Sequence, residues 1–241
     1  ESSAAESSRK PVVSTAISSL RNRYINNSYG AAYFPWVQIR DSVSGALVWV
    51  PPSVVAIGAM SRTDAVEAPW FAPAGFNRGG LTAGNSGLSV VGVSHKLTSA
   101  ERDNLYADNI NPIASFPSEG IVIFGQKTMQ TQASALDRIN VRRMLIYAKK
   151  TISAVASQLL FEPNVPATWS RFTNNVIPIL NDMRSRFGVD DYKLVLDEST
   201  TTPDLIDQNT IYAKLLLKPT KAVEFFLIDF VITNSGASFS D

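Results

Sequence analysis

The sequence predicts an α+β fold in which a mixed, twisted sheet is flanked by helices. Three observations carry that prediction. Two long stretches, 139–160 and 167–187, repeat apolar residues three or four apart, the spacing of one helix face. The last third turns to β-rich runs at 192–197, 210–219 and 224–233. Near the start, "YFPWVQIRDSVSGALVWVPP" (33–52) sets two aromatic-rich apolar runs around a Ser-Gly turn and closes on two prolines, the pattern of a hairpin.

Taken in order, residues 11–27 carry Val12, Val13, Ala16, Ile17, Leu20 and Tyr24 at helical spacing. After the hairpin, "PSVVAIGAMSRTD" (52–64) begins with Pro and Ser, which suit a helix N-terminus. Its small residues would let another backbone come close. From 65 to 87 the chain is rich in Gly, Pro and Asn, with Trp70 and Phe71 between prolines, and reads as a long structured loop. "LTSAERDNLYADN" (97–109) has a capping signature, Thr98 or Ser99 followed by Glu101, and predicts a short helix. "INPIASF" and "GIVIFG" (110–116 and 120–125) are short strands joined by a Pro-Ser-Glu-Gly turn.

Val141, Met144, Leu145, Ala148, Ile152, Val155, Ala156 and Leu159 form the strongest helical pattern in the chain. The second helix, 167–187, should be kinked or interrupted near Pro178 and ended by Gly188. The runs 210–219 and 224–233 are apolar on both faces, which places them in the middle of a covered sheet. No internal repeat or heptad array is present.

Bulk composition narrows the function classes. The chain has 241 residues, 45% hydrophobic and only 18% charged, so its surface is lightly charged and suited to being covered by partners. A formal net charge of +1 argues against a general nucleic-acid binder, whose affinity rests on many phosphate contacts. The absence of cysteine excludes disulfides, thiolate metal sites and cysteine nucleophiles. No apolar run reaches the ~18 residues of a membrane helix. "ESSAAESSRK" has neither Met nor an apolar signal core and reads as a linker, so the chain is expected to be a piece of something longer.

Catalytic constellations are thin. The single histidine, His95, has no G-x-S-x-G elbow for company and reads as a surface or loop imidazole. One His and no Cys make a His/Cys metal site impossible. "DD" (190–191) and "DE" (197–198) flank a strand, as solvated strand ends do. "GFNRGG" (75–80) lacks the spacing and the Lys-Ser/Thr of a P-loop, so its glycines read as turn residues. Trp36, Trp49, Trp70 and Trp169 lie in apolar runs and suit core or interface packing.

One stretch stands apart. Arg138, Arg142, Arg143, Lys149 and Lys150 set five positive charges against one acid around "INVRRMLIYAKK" (139–150). On a helix, 142, 149 and 153 lie near one line with 143 and 150 beside it, while 141, 145, 148, 152 and 155 face the core. A solvated helix back and a docking face are both open readings. A solvating face normally mixes signs, because i,i+4 pairs stabilise it, and this one does not.

Several strings then occur in a fixed order: "VPPSVVAIGAMSRTDAVEAPWFAPAGFNRGG", "ERDNLYADNINPI", "GQKT", "DRINVRRML", "LLFEPN" and "TTTPDLIDQNTIYAKLLLKPTKAVEFFLIDF". Together, across residues 28–239, they resemble the C-terminal portion of the contractile tail sheath proteins of myoviruses, closest to the T-even type. The resemblance implies a linker over 1–27, the end of a main domain related to subtilisin-like proteases but without their catalytic residues over 28–130, and an inner domain with a terminal arm over 131–241. It implies a non-enzymatic structural subunit with no cofactor and no metal. Such a subunit polymerises as six-fold rings in a helix around a tail tube and contracts to drive the tube through the host envelope.

Implied partners are other copies of the chain, the tube protein, and baseplate and tail terminator proteins, without direct nucleic-acid contact or membrane insertion. The implied location is the virion tail, after assembly in the host cytoplasm. The family joins neighbours by strands exchanged between sheets, which marks Phe225, Phe226, Ile228, Phe230 and Ile232 as an inter-subunit strand. Residues after about Thr233 are expected to reach a neighbour. Weak charge complementarity toward the tube marks Arg142, Arg143, Lys149 and Lys150 as tube- or neighbour-facing, with Arg184 and Arg186 as runners-up. The alternatives are the sheath of a related non-phage contractile injection system and, from a different class, an α/β hydrolase.

Overall fold

Helical and alternating patterns in the sequence resolve into two long helices, several short ones and three small sheets. The structure is a computed structural model and describes residues 12–224. In order, the elements are α1 (Val12–Arg21), β1 (Ala32–Phe34), β2 (Val37–Arg40), β3 (Leu47–Val50), α2 (Pro52–Val66), α3 (Gly75–Arg78), β4 (Ser89–Val93), α4 (Ser99–Ala107), β5 (Ile110–Phe116) and β6 (Gly120–Ile123). A 3-10 turn at Ala135–Asp137 leads into α5 (Ile139–Ser157), α6 (Pro166–Ser185), β7 (Val189–Val195), α7 (Pro203–Asp207) and β8 (Lys214–Pro219).

The α+β class holds, but the strands do not share one sheet. β1 pairs in parallel with β5, and β5 antiparallel with β6. β2 lies between β3 and β4, antiparallel to both. β7 and β8 form a separate antiparallel pair. The expected hairpin of 33–52 is therefore β2–β3 alone, while β1 leaves it for β5. β4 was not expected from the sequence. Its five residues, "SVVGV", sit beside a Gly-rich loop and carry little alternation.

Three apolar clusters hold these layers. Val37, Val90, Ile113, Ile121 and Ile123 from the two three-stranded sheets close on Val55, Ala56 and Ala59 of α2. Val141, Met144 and Ala148 of α5 meet Val176, Leu180 and Met183 of α6, with Val189 of β7 and with Ala68 and Trp70 from the loop after α2. Val13 of α1 packs with Leu97, Leu105 and Ile110. A fully buried Leu, Ile or Val side chain contributes about 1.5–3 kcal/mol, so these clusters supply the main driving force. The small residues of α2 do admit another backbone: a Cβ on Gly58 would lie 2.1 Å from the carbonyl oxygen of Ser86.

α6 is not interrupted at Pro178, and its end is built differently from expectation. α6 runs through Pro178 as a single helix, held by Val176, Leu180 and Met183, all buried on either side of the proline. Its stop is made by Phe187, which takes the left-handed conformation (φ 60°), while the Gly188 N–H reaches back to the Met183 carbonyl at 2.7 Å. Gly188 is needed for another reason. A Cβ there would lie 2.9 Å from the indole ring of Trp70.

Candidate functional site

The basic stretch sits on α5, whose buried face is Ile139, Asn140, Val141, Met144 and Ala148. Its arginines are not alike. Arg138, at the N-cap, grips the Glu224 carboxylate with Nε at 2.6 Å and Nη2 at 3.0 Å, and also faces Asp137 at 3.2 Å. Burial opposes charge on Arg138, but hydrogen bonding and attraction from Glu224 outweigh it and its pKa is raised. Gln126 donates to the same carboxylate at 3.3 Å. Nearby Lys127 is pulled down, first by burial and then by repulsion from Arg138, and its ammonium donates to the Tyr106 carbonyl at 2.7 Å.

Arg142 and Arg143 turn toward the preceding part of the chain. Arg142 donates to the Ser28 hydroxyl and lies 4.1 Å over the Tyr29 ring. Arg143 donates to the Met60 carbonyl at 3.2 Å and pairs with Asp64 of α2. Both guanidinium groups therefore tie α5 to residues 28–64 within the subunit. Lys149 and Lys150, two turns later, are exposed and form no hydrogen bond or ion pair among the described residues.

On α6, Arg184 stands 3.9 Å from Asp191, both exposed. Arg186, just past the helix, donates to the Glu67 carbonyl and covers the Trp70 ring at 5.3 Å, while its own carbonyl accepts the Trp70 indole N–H at 2.8 Å. Among the six basic residues marked by the sequence, Lys149 and Lys150 are thus the pair left free of subunit contacts among the described residues.

β7 and β8 make the second feature. Two strands alone are marginal in water, and each presents one unpaired edge among the described residues. Leu215 and Leu217 pack inward, but Lys214, Leu216 and Lys218 face out, with Leu216 49% exposed. The expectation that 210–219 is covered on both faces thus fails within the described residues: its outer face is bare. The run 224–233, marked as the inter-subunit strand with Phe225, Phe226, Ile228, Phe230 and Ile232, lies outside the described residues except for Glu224, and that residue is held by Arg138.

A further apolar surface was missed in the sequence. Leu47, Val48 and Trp49 of the edge strand β3 are all exposed, as is Trp36, whereas Trp70 and Trp169 are buried. Nothing in the β3 run distinguishes an exposed edge from a buried strand by pattern. His95 lies 3.1 Å from Glu101, whose other carboxylate oxygen accepts from the Thr98 backbone N–H at 2.8 Å to complete a capping box on α4. That backbone bond first, and His95 and the Thr98 hydroxyl after it, hold the Glu101 carboxyl below the usual carboxylate range.

Residues 131–233 match the phage tail sheath C-terminal domain family. The tail sheath protein of Vibrio phage KVP40 is 39% identical over 193 residues, covering 80% of this chain and 28% of that protein. The tail sheath protein of Enterobacteria phage T4 is 34% identical, with the same coverage of 80% and 28%. The chain spans under a third of the length of these relatives. Among solved structures, the contracted sheath complex of the PVC extracellular contractile injection system has a TM-score of 0.76 at 23% identity, over 90% of this chain and 60% of that one. The contracted helical sheath of the anti-feeding prophage has a TM-score of 0.72 at 25% identity, over 86% and 56%.

Proposed function

This chain carries a phage tail sheath C-terminal domain and is homologous to tail sheath proteins, and from that premise we propose that it is a structural subunit of a phage contractile tail sheath. It polymerises with its own copies as a helix of six-fold rings around the tail tube, and contraction drives the tube through the host envelope. It acts as a mechanical part of the virion tail rather than as a catalyst, after assembly in the host cytoplasm. Its partners are other copies, the tube protein, and the baseplate and terminator proteins at the two ends. Residues 28–130 close the main domain, and 131–241 form the inner domain with its arm.

The observation that carries this reading is the β7–β8 pair, whose outer edges and Leu216 face are uncovered among the described residues. Such a pair is completed by strands from neighbouring subunits, among them the run containing Phe225, Phe226, Ile228, Phe230 and Ile232. Backbone hydrogen bonds across subunits keep copies joined while side-chain contacts rearrange. A contact that repeats without closing on itself generates a helix. Contraction is then a switch between two packings, with the extended one held kinetically.

The charged lining is assigned to Lys149 and Lys150. Arg142 and Arg143 belong to the tube- or neighbour-facing set only through whatever part of them the contacts to Ser28, Tyr29 and Asp64 leave over. Exposed ion pairs contribute roughly 0–1 kcal/mol each, weak per subunit and additive over many copies. The test is assembly of the purified chain, extended to its full sheath length, with and without tube. Cylinders seen by negative stain, lost on deletion of residues 233–241, support the reading. Discrete monomers under every condition contradict it.

A further inference from the structure

The turn between α5 and α6 carries an apolar tip. Leu160 and Val165 are exposed there, and Phe161 is 104% exposed, as open to water as in an extended chain. The tip is nonetheless built to hold one shape. The Glu162 N–H donates to the Leu159 carbonyl at 3.2 Å, and the buried Trp169 donates its indole N–H to Asn164 Oδ1 at 2.8 Å. Asn164 in turn donates to the Thr210 carbonyl at 3.3 Å. Phe161 itself takes the left-handed conformation (φ 69°), which few residues other than glycine adopt. A large apolar side chain on a rigid turn has already lost the backbone freedom that docking would otherwise cost, as an interface anchor requires.

At the other end of α5 lies a cleft of about 470 Å³. Phe71, Tyr106, Phe124 and Phe187 wall it, and Asn140 of the first turn of α5 lines it too. The Phe124 and Phe187 rings are exposed at its rim. We propose that Leu160 and Phe161 of one copy dock in this cleft of a second copy. α5 has 19 residues and rises ~1.5 Å per residue, so tip and cleft stand about 28 Å apart along its axis and a copy cannot fill its own cleft. Charge matches as well. Around the cleft Arg78 is spent on Glu67, and Glu224 on Arg138, which leaves Arg102 and Lys221 against Asp103. The tip brings Glu162, whose own partner Arg171 is 3.5 Å away with both side chains exposed, so its carboxylate is open to sharing. Knob and socket at opposite ends of one helix make a heterologous contact, which repeats from copy to copy in one direction. Its use as a second joint in a sheath rests on the proposed function. The contact itself does not, since it forms between free chains in solution.

The chain has no cysteine, so single cysteines report cleanly. A Val165→Cys chain keeps Leu160 and Phe161, and a Val223→Cys chain places its thiol at the cleft. Mixed and mildly oxidised, the two should form a disulfide at least tenfold faster than Val165→Cys with Val43→Cys, a position equally open to water in the β2–β3 turn. Phe161→Ser in the Val165→Cys chain should cut the rate at least tenfold and leave its thermal unfolding unchanged, because the ring is fully exposed in its own subunit. Glu162→Lys in that chain should slow the reaction severalfold, and Lys221→Glu in the Val223→Cys chain should restore it. Equal rates for the two pairs, or a rate indifferent to Phe161→Ser, would overturn the proposal. So would a fast mixed disulfide that appears only after residues 225–241 are removed, which would assign the cleft to the same copy's own chain. Failure to form cylinders bears on the sheath reading and leaves these solution rates untouched.

Discussion

Removing the Glu224 carboxylate should cost the subunit about 1–3 kcal/mol, because the Arg138–Glu224 pair is half-sheltered rather than free in solvent. Side-chain exposure is 28% for Arg138 and 16% for Glu224. At ~4 Å between charge centres, attraction in surroundings of effective dielectric about 20 is about 4 kcal/mol, and much of it is offset by the loss of hydration. Asp137, 3.2 Å from Arg138, keeps part of the stabilisation after the substitution. In Glu224→Gln one carboxylate oxygen becomes an NH2 group, so Arg138 Nη2 loses its acceptor while the amide oxygen still accepts from Arg138 Nε and Gln126, and the lost bond adds to the cost. For a domain of this size 1 kcal/mol corresponds to roughly 2–4 °C in Tm, so Glu224→Gln should lower Tm by about 2–12 °C. The assay is thermal unfolding of wild type, Glu224→Gln, Arg138→Gln and the double variant, with the coupling energy taken from the cycle. A coupling below about 0.3 kcal/mol, the scale of an exposed pair, would refute the claim that this pair anchors the segment at Glu224 to the start of α5.

Four further outcomes follow from the geometry. Gly188→Ala should destabilise by about 1–3 kcal/mol in chemical denaturation, since its methyl group meets Trp70 ring atoms and the Met183 carbonyl oxygen within 3.0 Å. Thr98→Ala should cost about 1 kcal/mol through loss of the α4 cap, measured the same way. Because the Glu101 pKa is depressed on folding, its contribution is complete above the ordinary carboxylate range and is lost as pH falls through the folded value; Glu101→Gln should flatten the stability profile in that acid window. Lys149→Glu with Lys150→Glu should leave Tm within about 1 °C, as both side chains are exposed and have no partner among the described residues, yet weaken co-sedimentation with tube more at low than at high salt.

How much of this was legible from residues alone depended on the range of the interaction. α5 and the cap of α4 follow local rules, three- and four-residue spacing and a Thr-x-x-Glu box, and were read correctly. β1 was misassigned to the hairpin because its pairing with β5 joins residues 32–34 to 110–112, a separation no local pattern encodes. Arg142 and Arg143 looked like a charged helix back because their partners, Ser28, Tyr29, Met60 and Asp64, are about eighty or more residues away. Gly188 was correctly read as marking a helix end but for the wrong reason: Phe187 makes the turn, and Trp70, distant in sequence, forbids a side chain at 188. The outward face of β8 resembles a buried strand because Leu216 is apolar, and an apolar residue there makes sense if a neighbour covers it.

The most direct test of strand exchange is a helical reconstruction of the assembled sheath at a resolution that traces backbone. If strands are exchanged, the outer edges of β7 and β8 are hydrogen-bonded to strands of other copies, one of them the 224–233 run, with Leu216 covered. Edges left open to solvent, or closed by the same copy's own terminal run, would contradict it.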